Sequence, residues 1–195
     1  MFGLIVGALS VVSLAVSVID IGISVCKSLG IIKKDMPAEE LGERALQAQE
    51  KGVKLEDYAG RYDEYIKDIE SLELEASEKF SPAEKNKAAA EVLGAVLVDH
   101  YGNESGVENF LGTELVEANK DFYNPARVIS FMDTFKNSGT DMGNINKYFD
   151  SKLDSMQEIR YVNAKLVEAE KRLGFDDEQA KKNLSEEQAK RSEDL

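Results

Sequence analysis

The chain has 195 residues with 37 acidic and 24 basic side chains, which gives a formal net charge of −13. A body this acidic repels nucleic-acid phosphates and anionic lipid headgroups, so we expect neither nucleic-acid binding nor a body lying flat on a membrane. Cys26 is the one cysteine, which excludes an internal disulfide and a thiolate metal cluster. Alanine, glutamate, lysine and leucine are common and there are only three prolines, a composition that favours an all-α fold.

The N-terminal residues 2–26 form an apolar stretch in which Asp20 is the only charged residue. As a helix, 25 residues would span roughly 37 Å, more than the ~30 Å hydrocarbon core of a bilayer. No basic residue precedes the stretch and no small-residue cleavage site is clear, so a transmembrane helix fits better than a signal peptide. Lysines follow the stretch at 27, 33 and 34, which predicts a membrane location with the acidic body in the cytoplasm.

Small and polar residues recur every seven positions within this stretch. Ser10, Ser17 and Ser24 form one row, and Ser13 and Asp20 form a second row three residues later. With the nearby glycines, the predicted stripe comprises Gly3, Gly7, Ser10, Ser13, Ser17, Asp20 and Ser24.

This stripe has several interpretations. In a simple anchor, the serines would bond back to carbonyls of the preceding turn. In an oligomer, small residues would let helices pack closely. In a pore, the stripe would face water and Asp20 would form a charged ring. In a soluble assembly, the apolar helix would instead be buried against other chains.

A second heptad pattern predicts one helix over 54–79. Two complementary rows carry its large apolar side chains: Leu55, Tyr58, Tyr62, Tyr65, Ile69, Leu72 and Ala76. The pattern describes either a coiled-coil-like seam between chains or a helix packed into the core of its own domain.

Capping and turn residues predict the other helices of the body. We expect a solvated connector over 35–51 capped by Asp35, and a central core helix over 82–101 that starts at Ser81 with a capping box. Further helices are predicted over 105–119 and from Pro125 to the loop at 137–143. A long helix is predicted over 144–173, with Met156 facing inward.

The predicted organisation has three parts. Residues 1–34 form the apolar helix and its basic flank, 35–175 an acidic multi-helix domain, and 176–195 a charged tail with little apolar surface, which should fray. Because the domain has its own caps and apolar faces, residues 35–195 are expected to fold without 1–34.

The residues able to carry chemistry form no recognisable motif. His100, at a helix end, is typical of a cation near the helix dipole. Cys26 lies in the apolar stretch, where a thiol is inert. The carboxylates near Asp63 are typical of a solvated face, and 141–146 lacks the residue order of an EF-hand. We therefore predict no catalytic residue, no cofactor and no metal.

These features favour a non-enzymatic, membrane-associated protein. It would contact lipid through residues 2–26, form a homo-oligomer through its N-terminal helix and contact protein partners through its acidic body. One alternative is a pore-forming or membrane-permeabilising protein, such as a toxin or holin-like factor. Another is a subunit of a larger assembly in which other chains bury the apolar helix.

Overall fold

The computed structural model describes residues 19–75, 79–102, 104–111 and 114–193, and in these ranges the fold is all-helical, as predicted, without a β-strand. The helices are α1 (Ile19–Ser28), α2 (Ala38–Glu50), α3 (Tyr62–Ser71), α4 (Pro82–Tyr101), α5 (Glu104–Leu111), α6 (Glu114–Ala118), α7 (Pro125–Ser138), α8 (Gly143–Phe149), α9 (Met156–Arg172) and α10 (Asp177–Glu193).

Helix α4 is the central helix, with the bounds and the cap that the sequence predicts. The Ser81 hydroxyl accepts a hydrogen bond from the Glu84 amide at 3.3 Å, and the Glu84 carboxylate accepts one from the Ser81 amide at 2.8 Å. Gly102, with φ of +67°, ends the helix. Helices α1 and α2 both pack on α4, and its Leu93 and Leu97 are fully buried.

Helix α2 is a core helix, so the prediction of a solvated connector over 35–51 is wrong. Leu41 and Ala48 are fully buried. A Cβ atom on Gly42 would lie 1.8 Å from the Lys85 carbonyl oxygen, so the backbones of α2 and α4 approach closely at this glycine. Asp35 does not cap the helix, since its N-cap is Pro37, which makes no side-chain cap.

Helix α1 is packed into the same core, between α4 and α7. The segment after it continues into this core through Ile32 and Met36. Residues on both sides of position 34 therefore share one hydrophobic core. The buried side chains of α1 are Ile19, Ile21, Ile23, Val25 and Cys26.

The continuous helix predicted over 54–79 is not present. Its first residues form a 3-10 turn, Leu55–Tyr58, and Gly60 then adopts φ of +73°. Helix α3 ends at Ser71 because the Arg44 guanidinium donates to the carbonyls of Ile69, Glu70 and Leu72 at 3.2, 3.2 and 2.7 Å. A side chain from α2 therefore satisfies the helix end, which the heptad pattern does not reveal.

Two further predicted helices correspond to two observed helices each. The segment predicted over 105–119 forms α5 and α6, and the segment predicted over 144–173 forms α8 and α9. Ser151 has φ of +56°, and Ser155 starts α9 by accepting a hydrogen bond from the Glu158 amide at 3.2 Å. Met156 therefore lies in the first turn of α9 and is 65% exposed, so its predicted inward orientation is wrong.

The charged tail forms α10 over residues 177–193, and this helix packs against α8 and α9. Ala180 and Leu184 are fully buried, and polar side chains make most of the specific contacts. The Gln188 amide donates to the Tyr148 carbonyl at 2.9 Å, and Arg191 donates to Asp150 at 2.9 Å. These hydrogen bonds hold α10 against the body, because the apolar surface that this helix buries is small.

Candidate functional site

Helix α1 has an apolar face and a polar face, and the structure assigns them different environments. The apolar face lies against α4 and α7 in the core. Asp20 and Ser28 are exposed, and Ser24 and Lys27 are half-buried. The C-terminal end of the predicted stripe therefore lies along the outer side of a helix that the body holds in place.

The serines on this face bond within their own helix. The Ser24 hydroxyl donates to the Asp20 carbonyl at 2.7 Å, and the Ser28 hydroxyl donates to the Ser24 carbonyl at 2.8 Å. Ser24 therefore makes the bond within its own helix that the anchor interpretation of the stripe expects. The other predicted stripe residues lie outside the described residues: Gly3, Gly7, Ser10, Ser13 and Ser17.

A membrane span requires a helix that is both long and apolar. Among the described residues, no helix combines that length with sufficient apolar character. Residues 2–18 of the predicted span lie outside the described part of the chain.

The tyrosine-rich segment faces the body's own core. Tyr65 and Ile69 are buried, and Leu55, Tyr58, Tyr62 and Leu72 pack partly buried against the core, whereas Ala76 lies outside the described residues. The rings of Tyr58 and Tyr65 meet edge to face at 5.3 Å. The Tyr58 hydroxyl donates to Asp68 at 2.6 Å, and this bond raises the pKa of Tyr58. These contacts are those of a segment that packs into the core of its own chain.

A buried ion pair joins α7 to α9, and the sequence analysis did not anticipate it. Arg127 and Glu170 are 7% and 0% exposed, and they bond through two contacts, Nε–Oε1 at 2.5 Å and Nη2–Oε2 at 3.1 Å. Arg127 Nη1 also donates to the Phe122 carbonyl at 2.6 Å, and the guanidinium carbon lies 4.1 Å from the Phe122 ring centroid. Asn183 of α10 donates to Glu170 Oε2 at 2.9 Å. The pair thus fixes three helices relative to one another.

A second buried carboxylate, Glu187, lies between α10 and the end of α6. It is 5% exposed and accepts a hydrogen bond from the Asn119 amide at 2.5 Å. Burial raises the pKa of Glu187, although the Asn119 bond acts in the opposite direction. The folded state therefore holds this proton more tightly than the unfolded chain. The stability that the protonated Glu187 carboxyl contributes is present at low pH and is lost as the pH rises through its raised pKa.

The other groups considered for chemistry are dispersed. Cys26 is fully buried. His100 is exposed, and partial desolvation together with the Lys136 ammonium lowers the pKa of His100, opposite to the shift expected for a cation near the helix dipole. No group of three His, Cys, Asp or Glu side chains within the described ranges is placed to hold a metal ion.

Sequence patterns could have revealed some of these features. The outward polar face of α1 follows from the positions of Asp20, Ser24 and Lys27, which lie on one side of a helix. The ion pair could not have been found in this way, since Arg127 and Glu170 are 43 residues apart.

No family model matches this chain, and no curated protein or solved structure matches it significantly.

Proposed function

We propose that this chain is a non-enzymatic, membrane-associated helical protein. Helix α1 would join an apolar segment, residues 2–18, to an acidic helical body that contacts protein partners, and the apolar segment would also form the homo-oligomer. The apolar, uncharged sequence of residues 2–18 is the observation that carries this proposal, and the burial of α1 between α4 and α7 joins that segment to the body. Because α1 is packed in the core, anchoring the segment attached to it would anchor the whole body.

The position of α1 shortens the segment available to lipid. Residues 19–26 cannot contact lipid through side chains that the body's core already buries. The 17 residues 2–18 contain no charged side chain, and as a helix they would span about 25 Å, which is at the short end of known membrane spans. A local thinning of the bilayer or helix–helix association would accommodate such a length.

A second candidate is a subunit of a larger assembly in which other chains cover residues 2–18. One observation favours it: the apolar side chains of α1 are covered by protein, in the core that α4 and α7 form. The same environment would extend to residues 2–18 if partner chains covered them.

Extraction of cell membranes with alkaline carbonate, followed by sizing in detergent, separates the two candidates. We expect the wild-type chain to stay in the membrane pellet. The double substitution Leu14→Lys with Val16→Lys should release it, because each lysine costs about 2.5–3.5 kcal/mol in the hydrocarbon core. Asp20→Asn is the matched control and should behave like wild type, because Asp20 is exposed on the body.

Ser17→Leu tests the oligomer in the same experiment. If the segment packs through small residues, a larger side chain should reduce the detergent-solubilised assembly to a smaller species while membrane retention is kept. A wild-type chain found in the carbonate supernatant would refute the membrane proposal. Its co-purification with other chains in that fraction would support the assembly instead.

A further inference from the structure

A cavity of about 370 Å³ lies between α2, the 3-10 turn at Leu55–Tyr58, α3 and α4. Small-molecule sites in proteins typically measure ~300–1,000 Å³. Its apolar lining consists of aliphatic side chains from three of these elements: Ala45, Leu46, Leu55, Ala88 and Val92. Its polar lining consists of Gln49, Glu56, Tyr65, Glu84, Lys87 and Glu91. The cavity therefore combines an aliphatic wall with an acidic rim.

Tyr65 is the buried polar group of this cavity. Its side chain lines the space, the residue is 2% exposed, and its hydroxyl makes no hydrogen bond among the described residues. Burial raises the pKa of Tyr65, and the carboxylates of Glu56 and Glu91 raise it further. Both carboxylates line the same cavity as the Tyr65 side chain. The hydroxyl therefore has no partner within the described part of the chain, and a ligand in the cavity could supply one.

The carboxylates on the rim differ in how far other groups neutralise them. Glu84 is engaged in capping α4 through Ser81. Glu91 lies 4.0 Å from the ammonium of Lys87, which is 75% exposed, and such surface pairs are weak. Glu56 takes no hydrogen bond or ion pair within the described part of the chain. The rim therefore offers hydrogen-bond acceptors and negative charge that remain largely available to a cationic donor.

We propose that this cavity binds a small aliphatic diamine. The methylene chain of the ligand would pack on the aliphatic lining, and its ammonium groups would bind the carboxylates of Glu56 and Glu91, with one of them also donating to the Tyr65 hydroxyl. A hydrated metal ion would gain nothing from the aliphatic lining, and an anion would be repelled by the rim. This inference does not depend on the proposed membrane role.

Isothermal titration calorimetry on the full-length chain in a nonionic detergent tests the site. The probes are cadaverine, 1,5-pentanediol and magnesium chloride, all at one ionic strength. We expect saturable 1:1 binding of cadaverine and no saturable binding of the diol or of magnesium. Glu56→Gln and Glu91→Gln should each weaken cadaverine binding about tenfold, as expected when one partly buried charge pair is lost. Tyr65→Phe should weaken it without lowering the melting temperature.

Glu73→Gln is the matched control, because Glu73 is exposed and does not line the cavity. It removes the same charge and should leave the cadaverine affinity unchanged. Equal weakening by Glu73→Gln and Glu91→Gln would show a general attraction of amines to an acidic body and would overturn the proposal. Absence of saturable cadaverine binding, or equal binding of the diol, would overturn it as well.

Discussion

Replacing Glu170 with alanine is expected to destabilise the folded body by about 3–5 kcal/mol, which is the usual result of removing one member of a buried ion pair. Arg127 would keep its charge at 7% exposure and would lose both contacts with the carboxylate. Asn183 of α10 would lose its acceptor at the same time. The loss is a large fraction of a typical total stability of ~5–15 kcal/mol.

Urea unfolding followed by circular dichroism measures this effect. Glu168→Ala is the matched control on the same helix, because Glu168 pairs with Arg172 at the surface, and it should cost only about 0–1 kcal/mol. The double substitution Arg127→Met with Glu170→Leu should recover much of the lost stability, since no charge would then remain buried. Equal, small losses for Glu170→Ala and Glu168→Ala would show that the buried pair contributes little.

Gly42→Ala is expected to destabilise the body by about 1–3 kcal/mol or more, the range for overpacking in a closely packed interior. Helix propensity alone predicts the opposite sign, because alanine is more favourable than glycine in a helix by ~1 kcal/mol. The added Cβ would lie 1.8 Å from the Lys85 carbonyl oxygen. Backbone atoms cannot rotate away, so α2 and α4 would have to separate.

The sign of the change in the free energy of unfolding decides between these two effects. Gln49→Ala in the exposed last turn of α2 is the control, and it should change stability by only a few tenths of a kcal/mol. A Gly42→Ala chain that is more stable than wild type would show that α2 and α4 do not approach as closely as the structure indicates.

The sequence predicts those elements whose signals are local. The capping box at Ser81, Pro82 in the first turn and Gly102 at the end define α4 from adjacent residues, and the observed bounds agree with them. The buried face of α7, including Val128 and Met132, follows from helical periodicity in the same way.

Elements whose limits depend on distant side chains could not be predicted. Arg44 satisfies the carbonyls at the end of α3 from another helix, and the heptad pattern continues past the actual end of that helix. Helix α10 depends on hydrogen bonds from Asn183 and Gln188 to residues of α9 and α8. Such contacts leave no apolar periodicity in the sequence.

The environment of the apolar N-terminal stretch could not be predicted either, because a membrane and a protein core demand similar apolar side chains. The structure places one end of this stretch, α1, in the core of the body. For the candidate site, only Asp20 and Ser24 of the predicted stripe lie among the described residues.

Thermal unfolding of two truncated chains, 19–195 and 35–195, tests most directly whether α1 belongs to the body. Of the residues the structure describes, the shorter chain lacks six buried side chains: Ile19, Ile21, Ile23, Val25, Cys26 and Ile32. Burial of each large aliphatic side chain is worth about 1.5–3 kcal/mol, so their combined loss is comparable to the whole stability of a domain.

Circular dichroism should therefore show cooperative melting for 19–195, and a lost or much lower transition for 35–195, contrary to the expectation from the sequence alone. A 35–195 chain that melts cooperatively at the same temperature as 19–195 would contradict this account.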